Sequence, residues 1–192
     1  TSNKGYLKQV KVKFQSTGTT IELITTYKYA NFGARTSVKP PMGSETTYVV
    51  DNEFLVKQVT TASPFSYIKE LYYNGEREVV REKLENRKGT DARDTDNPWW
   101  EIEYEYGTGG ELLTKWSEVT YSTGTQTSTW EAMSFLYDND FRRTLARDGR
   151  DKQTRFLLDE RGLTTEITRA YASPASPDES KELFAYDEEG KV

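Results

Sequence analysis

The chain of 192 residues contains no cysteine and no histidine. The first absence removes disulfides, thiolate metal ligands and a cysteine nucleophile; the second removes an imidazole base and imidazole ligands. Lack of cysteine leaves the redox compartment open, because a disulfide-free protein can reside anywhere. Apolar residues are scarce, at 34% with a mean hydropathy of −0.83, and no run of 18 of them provides a transmembrane helix. Charge of one sign is also missing. The net value is −5 with Lys and Arg spread among the acids, so no basic footprint marks a nucleic-acid partner.

What the chain has instead is aromatic residues, 13% of the total, including 13 Tyr and 4 Trp. Rings and threonines in a weakly apolar background suit sheet faces, not a Leu/Ala-rich helical bundle. Val10, Val12 and Phe14 alternate with Lys11 and Lys13, the period of a half-buried strand. Trp100, Ile102, Tyr104 and Tyr106 alternate in the same way with Trp99, Glu101, Glu103 and Glu105. Residues 77–88 carry Val80 and Leu84 at helical spacing, yet they occupy the second arm of a hairpin and are read as strand. Pro40-Pro41 breaks the pattern early, and the polar stretch 89–97 reads as a mobile loop joining candidate halves 1–88 and 98–192 of one β-repeat domain.

Turn signals recur throughout: Tyr29-Ala30-Asn31-Phe32-Gly33, Val50-Asp51-Asn52-Glu53-Phe54, Tyr73-Asn74-Gly75, Tyr106-Gly107-Thr108-Gly109-Gly110, Tyr137-Asp138-Asn139-Asp140-Phe141, Arg147-Asp148-Gly149-Arg150-Asp151, Leu158-Asp159-Glu160-Arg161-Gly162 and Tyr186-Asp187-Glu188-Glu189-Gly190. Asn, Asp and Gly tolerate the positive φ that tight hairpins need. Consecutive hairpins pair with their neighbours. The expected fold is therefore all-β, an antiparallel meander of about 12–14 strands, curled into a barrel-like sheet because long meanders normally close or split into a sandwich.

Leu158 to Thr164 and Tyr186 to Lys191 resemble the YD repeats of Rhs-type shell proteins. The whole layout is similar to secreted or lipoprotein-anchored Bacteroidetes proteins of unknown function with a porin-like β fold. Glu53 and Asp140 stand where that motif has glycine, and Tyr73-Asn74-Gly75 is one or two residues short. The resemblance implies export to the periplasm or cell surface, and it brings no catalytic residue. Thr1 in place of an initiating Met fits a removed export leader and a trimmed start equally well.

Candidate ligand-binding residues are the four tryptophans Trp99, Trp100, Trp116 and Trp130, with Tyr104 beside them. Rings on a sheet can stack on a glycan or anchor a partner; packed inward, the same rings form the core. Trp99, on the acidic side of its strand, is the one expected to be exposed. Glu101, Glu103 and Glu105 are either a general acid/base row or a solvated stripe answered by cations across the ladder. Asp91, Asp94 and Asp96 lack the glycine pattern of a calcium loop. Arg142, Arg143, Arg147, Arg150 and Arg155 either grip a phosphate or pair with nearby aspartates. The expectation is a non-catalytic, exported envelope module, structural or binding, with no cofactor and no metal. Its partner would be a glycan, a small apolar ligand or an envelope protein. The alternatives are a lipocalin-like carrier with a barrel cavity and, more remotely, a carboxylate-only glycosidase or lyase.

Overall fold

A computed structural model describes residues 5–16, 18–62, 66–87, 92–122, 127–171 and 179–191, with main chain only at 120–122 and 127. Fourteen strands follow one another in chain order. They are β1 (Gln9–Ser16), β2 (Thr19–Tyr29), β3 (Arg35–Lys39), β4 (Thr46–Val50), β5 (Val56–Thr60), β6 (Ile68–Tyr73), β7 (Val79–Glu85), β8 (Trp99–Tyr106), β9 (Leu112–Ser122), β10 (Thr127–Tyr137), β11 (Arg143–Arg147), β12 (Gln153–Leu158), β13 (Thr164–Tyr171) and β14 (Ser180–Leu183). The second arm within 77–88 is thus strand, as its place in a hairpin requires.

The chain divides into two compact units, Thr1–Glu101 and Ile102–Val192. Within each, packed strand pairs are sequence neighbours joined by antiparallel ladders. Neither unit folds back on itself as a sandwich among the described residues. The expected barrel is corrected too: the order begins at β1 and ends at β14, and the sheet is not closed. The sequence shows why a sealed interior does not arise. Tyr48, Val59, Lys69 and Leu84 are successive cross-strand partners on one face, so a cation interrupts what would be the apolar lining, and Lys69 is held there by Glu82 at 2.6 Å.

Burial follows from this open layout. Among the described residues the buried apolar side chain is Ala34, at 5% exposure, while Ser37, Glu85, Asn97 and Thr168 are buried polar groups. A sheet with so little core depends on its ladders, its turns and contacts between adjacent hairpins.

The turns are built to one plan. Position 1 is the residue that enters each turn: Tyr29, Val50, Tyr73, Tyr106, Tyr137, Arg147, Leu158 or Tyr186, the first seven of them being ladder residues. In all eight the N–H of position 2 donates to the carbonyl of position 6, and the N–H of position 5 donates to the carbonyl of position 2, at 2.8–3.2 Å. Position 5 always has positive φ, from +58° at Phe141 to +96° at Gly33. At Gly33 a side chain would also meet the Tyr6 hydroxyl 2.1 Å from its Cβ, so glycine is needed twice over. At Asp51, Asn74, Asp138, Asp148 and Asp159 the position 2 side-chain oxygen accepts the N–H groups of positions 4 and 6, which is the reason for the aspartates.

Two details of the sequence-based alignment are corrected here. Glu53 and Asp140 do not stand at the glycine position; Phe54 and Phe141 do, with φ of +66° and +58°. Likewise Gly75 is not the left-handed residue of its turn, which is Arg77 at +68°. In the Tyr106 turn, glycine replaces the aspartate, and the Glu111 carboxylate fills its place: it accepts the Gly109 N–H at 2.9 Å and lies 2.0 Å from where a Cβ on Gly107 would be.

Candidate functional site: the forks between hairpins

The aromatic candidates of the second unit, Trp116, Trp130 and Tyr104, do not all share one face. Trp99 is half-buried, with the Arg93 guanidinium 4.8 Å above its ring; Trp100 is half-buried as well. Within the second unit, Trp116 opposes Glu103 and Ala132, and Trp130 opposes Glu118, so Trp116 and Trp130 share a face as diagonal neighbours. Tyr104, opposite Lys115, lies on the other face. The exposed tryptophan is Trp130, at 39%, in place of the expected Trp99. A bulge between Thr129 and Trp130 accompanies this position, and alternation along the sequence does not reveal such a slip.

Of the charged candidates, Glu101, Arg142 and Arg147 sit in local pairs. Glu101 takes Lys83 at 2.8 Å and Arg81 at 3.7 Å. Arg142 pairs with Asp138 at 2.7 Å and Asp140 at 3.0 Å, and Arg147 with Asp151 at 3.4 Å. Arg143 and Arg155 instead lie over rings, Arg143 over Phe135 and Phe156 and Arg155 over Tyr171. Asp94 Oδ1 accepts the N–H groups of Asp96 and Asn97, while Asp91 lies outside the described residues, as do 89 and 90 of the expected mobile loop. Glu85 is the buried carboxylate of the first unit. Burial opposes its charge, but hydrogen bonds from Arg87, Arg93 and the Ile68 N–H outweigh that and hold its pKa below the ordinary value.

The recurrent site is the place where one hairpin meets the next. At six such junctions the ladder stops at the same point: Gln9↔Thr26, Ser37↔Thr47, Gln58↔Glu70, Thr114↔Ser134, Leu145↔Arg155 and Glu166↔Leu183. Each stop leaves two residues on one side and three on the other before the next turn, and the strands part as a fork. Four forks are closed by a tyrosine at position 1 of the following turn. Its hydroxyl donates across the gap to a main-chain carbonyl: Tyr29 to Leu7 at 2.9 Å, Tyr73 to Val56 at 2.9 Å, Tyr137 to Leu112 at 2.9 Å and Tyr186 to Thr164 at 2.8 Å. These bonds span 17 to 25 residues.

The other two forks carry Val50 and Leu158 at position 1 and have no such hydroxyl. In both, the residue leaving the preceding turn is an arginine laid over the aromatic two places before position 1. Arg35 lies 5.6 Å from the Tyr48 ring centre, and Arg143 lies 4.9 Å from that of Phe156 and 5.7 Å from that of Phe135. A cation over a ring face is attracted by its quadrupole. Each unit therefore has the same order of junctions: tyrosine, arginine, tyrosine. Sequence reasoning found the tyrosines as turn markers and missed what their hydroxyls reach. The arginine forks had a signal, Tyr-x-Asn-x-x-x-Arg-Thr, shared by residues 29–36 and 137–144.

No family model and no curated protein matches the chain. Among solved structures, TcdB2-TccC3 without its hypervariable C-terminal region is 11% identical with a TM-score of 0.45, covering 98% of this chain and 12% of that one. A porin-like protein from Bacteroides uniformis is 12% identical with a TM-score of 0.47, covering 91% of this chain and 81% of that one. The Tc holotoxin pore of Photorhabdus luminescens is 10% identical with a TM-score of 0.26, covering 88% and 13%. The chain thus spans 12% of the length of the TcdB2-TccC3 chain.

Proposed function

We propose that the chain is an exported cell-envelope module with a structural and binding role and no catalytic one. One observation carries this reading: eight turns and six forks repeat one plan along sheet units whose described residues bury almost no apolar side chain. Such a design suits a wall that presents surface on both faces. Its carboxylates fit that role. Asp138 and Asp159 are held ionised by N–H groups of their own turns, then by the Arg142 and Arg161 side chains, so they brace the backbone. The YD-like form of the turns, with its implied export, supports the same reading. The carrier alternative loses its barrel interior with the open sheet.

The test is fractionation of source cells with an antibody to the chain, combined with protease treatment of intact cells. The expected result is recovery in the envelope fraction and cleavage from outside or after opening of the periplasm. Recovery with cytosolic markers would overturn the proposal.

A further inference from the structure

We propose that the fork between β3 and β4 is a binding site for a phenolic ring, which enters beside Val50 and donates its hydroxyl to the Arg35 carbonyl. The inference stands apart from the envelope reading, because it rests on a comparison inside the molecule. Four forks contain a tyrosine whose ring bridges the gap to a main-chain carbonyl, and at Tyr73, Tyr137 and Tyr186 that carbonyl belongs to the residue leaving the preceding turn. At the β3–β4 fork that residue is Arg35, and the ladder ends in the same register, at Ser37↔Thr47. The position of the tyrosine is taken by Val50, whose side chain is too short to cross.

The space so left is open. A cavity of about 170 Å³ lies there, lined by Ala34, Arg35, Tyr48, Val50, Phe54 and Val56. Cavities of about 150 Å³ lined by apolar side chains accept one benzene ring. Four of the six lining residues are apolar, and Phe54, braced edge-on by Phe32 at 5.6 Å, supplies a ring at the rim. Arg35 is drawn over Tyr48, placing its guanidinium against that ring. The β11–β12 fork differs: Leu158 is larger than valine there, and Arg143 lies over two rings.

The phenol has two sources, a free small molecule or a tyrosine side chain of another polypeptide. The experiment is an amide-resolved NMR titration of the full chain with p-cresol, then with toluene. The account expects saturable shifts centred on Ala34, Arg35, Val50 and Val56, with toluene weaker by about 3–10-fold for want of one hydrogen bond. V50Y, which supplies the missing ring from within, abolishes binding. Shifts that do not saturate, shifts centred elsewhere, or toluene binding as well as p-cresol would overturn the proposal, and these readings need only the native chain if V50Y fails to fold. Unchanged p-cresol binding in folded V50Y would overturn it as well. N-acetyltyrosinamide separates the sources: tighter binding than p-cresol assigns a polypeptide tyrosine, and equal or weaker binding a free phenol.

Discussion

The β5–β6 and β3–β4 forks share a register and differ in the side chain at position 1 of the following turn, Tyr73 in one and Val50 in the other. In the first, Tyr73 crosses the gap to the Val56 carbonyl and Lys57 lies 4.8 Å from its ring centre. In the second, Val50 leaves the gap open and Arg35 turns onto Tyr48. A meander whose described residues bury so few apolar side chains therefore has two ways to bind hairpin to hairpin. One is a directional bond from a hydroxyl to a main-chain carbonyl, which fixes distance. The other is a cation over a ring, which is broad in geometry and weaker at exposed sites. Both units place the looser junction between two fixed ones.

The largest effect expected from breaking this scheme comes from acid, because it reaches three turns together, one in the first unit and two in the second. The carboxyls of Asp51, Asp138 and Asp159 have pKa values below the ordinary 3.8. At Asp138 and Asp159 the leading cause is a hydrogen bond from the turn N–H; at Asp51 partial desolvation opposes the shift and is outweighed by the N–H groups of Leu55 and Glu53. Groups with depressed folded values stabilise fully above their unfolded pKa and lose that contribution as pH falls through the folded one. Thermal unfolding followed against pH should be level above about pH 5 and should fall steeply below about pH 4. D138N retains an oxygen acceptor and should lose part of that acid dependence, while D138A should lower Tm at neutral pH.

Next in size is removal of a whole clamp. Y137A deletes the ring between two hairpins of the second unit together with its bond to Leu112, and calorimetry should show Tm lower by about 4–8 °C. Breaking the other kind of junction should cost less. R143M keeps an extended side chain but removes the charge over Phe135 and Phe156, for an expected loss of about 1–3 °C. The smallest effect converts one kind into the other: V50Y should close the β3–β4 fork and raise Tm by about 1–2 °C. A fall would mean that the Arg35–Tyr48 stack and a tyrosine ring cannot share the fork.

Much of the architecture could be read from residues. The strand at Trp99–Tyr106 and the eight turns follow from alternation and from Asp, Asn and Gly at fixed offsets, both of which are local. Phe54, Arg77 and Phe141 show where local reading ended: they adopt positive φ without being glycine, because the hydrogen bonds around them define the turn. The forks were illegible for a different reason. Which carbonyl Tyr137 reaches depends on a pairing 25 residues away, and Trp130 sits beside a register slip in its ladder. Neither is encoded in spacing along one strand. The open sheet was likewise missed, since a long meander usually closes and only the cross-strand neighbours reveal the charge at Lys69.

The central claim is that tyrosine hydroxyls, and not the rings alone, hold the forks. Tyr73 and Tyr48 offer a direct test in the same unit, since Tyr73 donates to Val56 across a fork while Tyr48 serves Arg35 with its ring face. Thermal unfolding of Y73F and Y48F would be measured side by side. The account predicts a loss of about 2–4 °C for Y73F and less than about 1 °C for Y48F. Equal shifts, or a Y73F protein as stable as the parent, would contradict it.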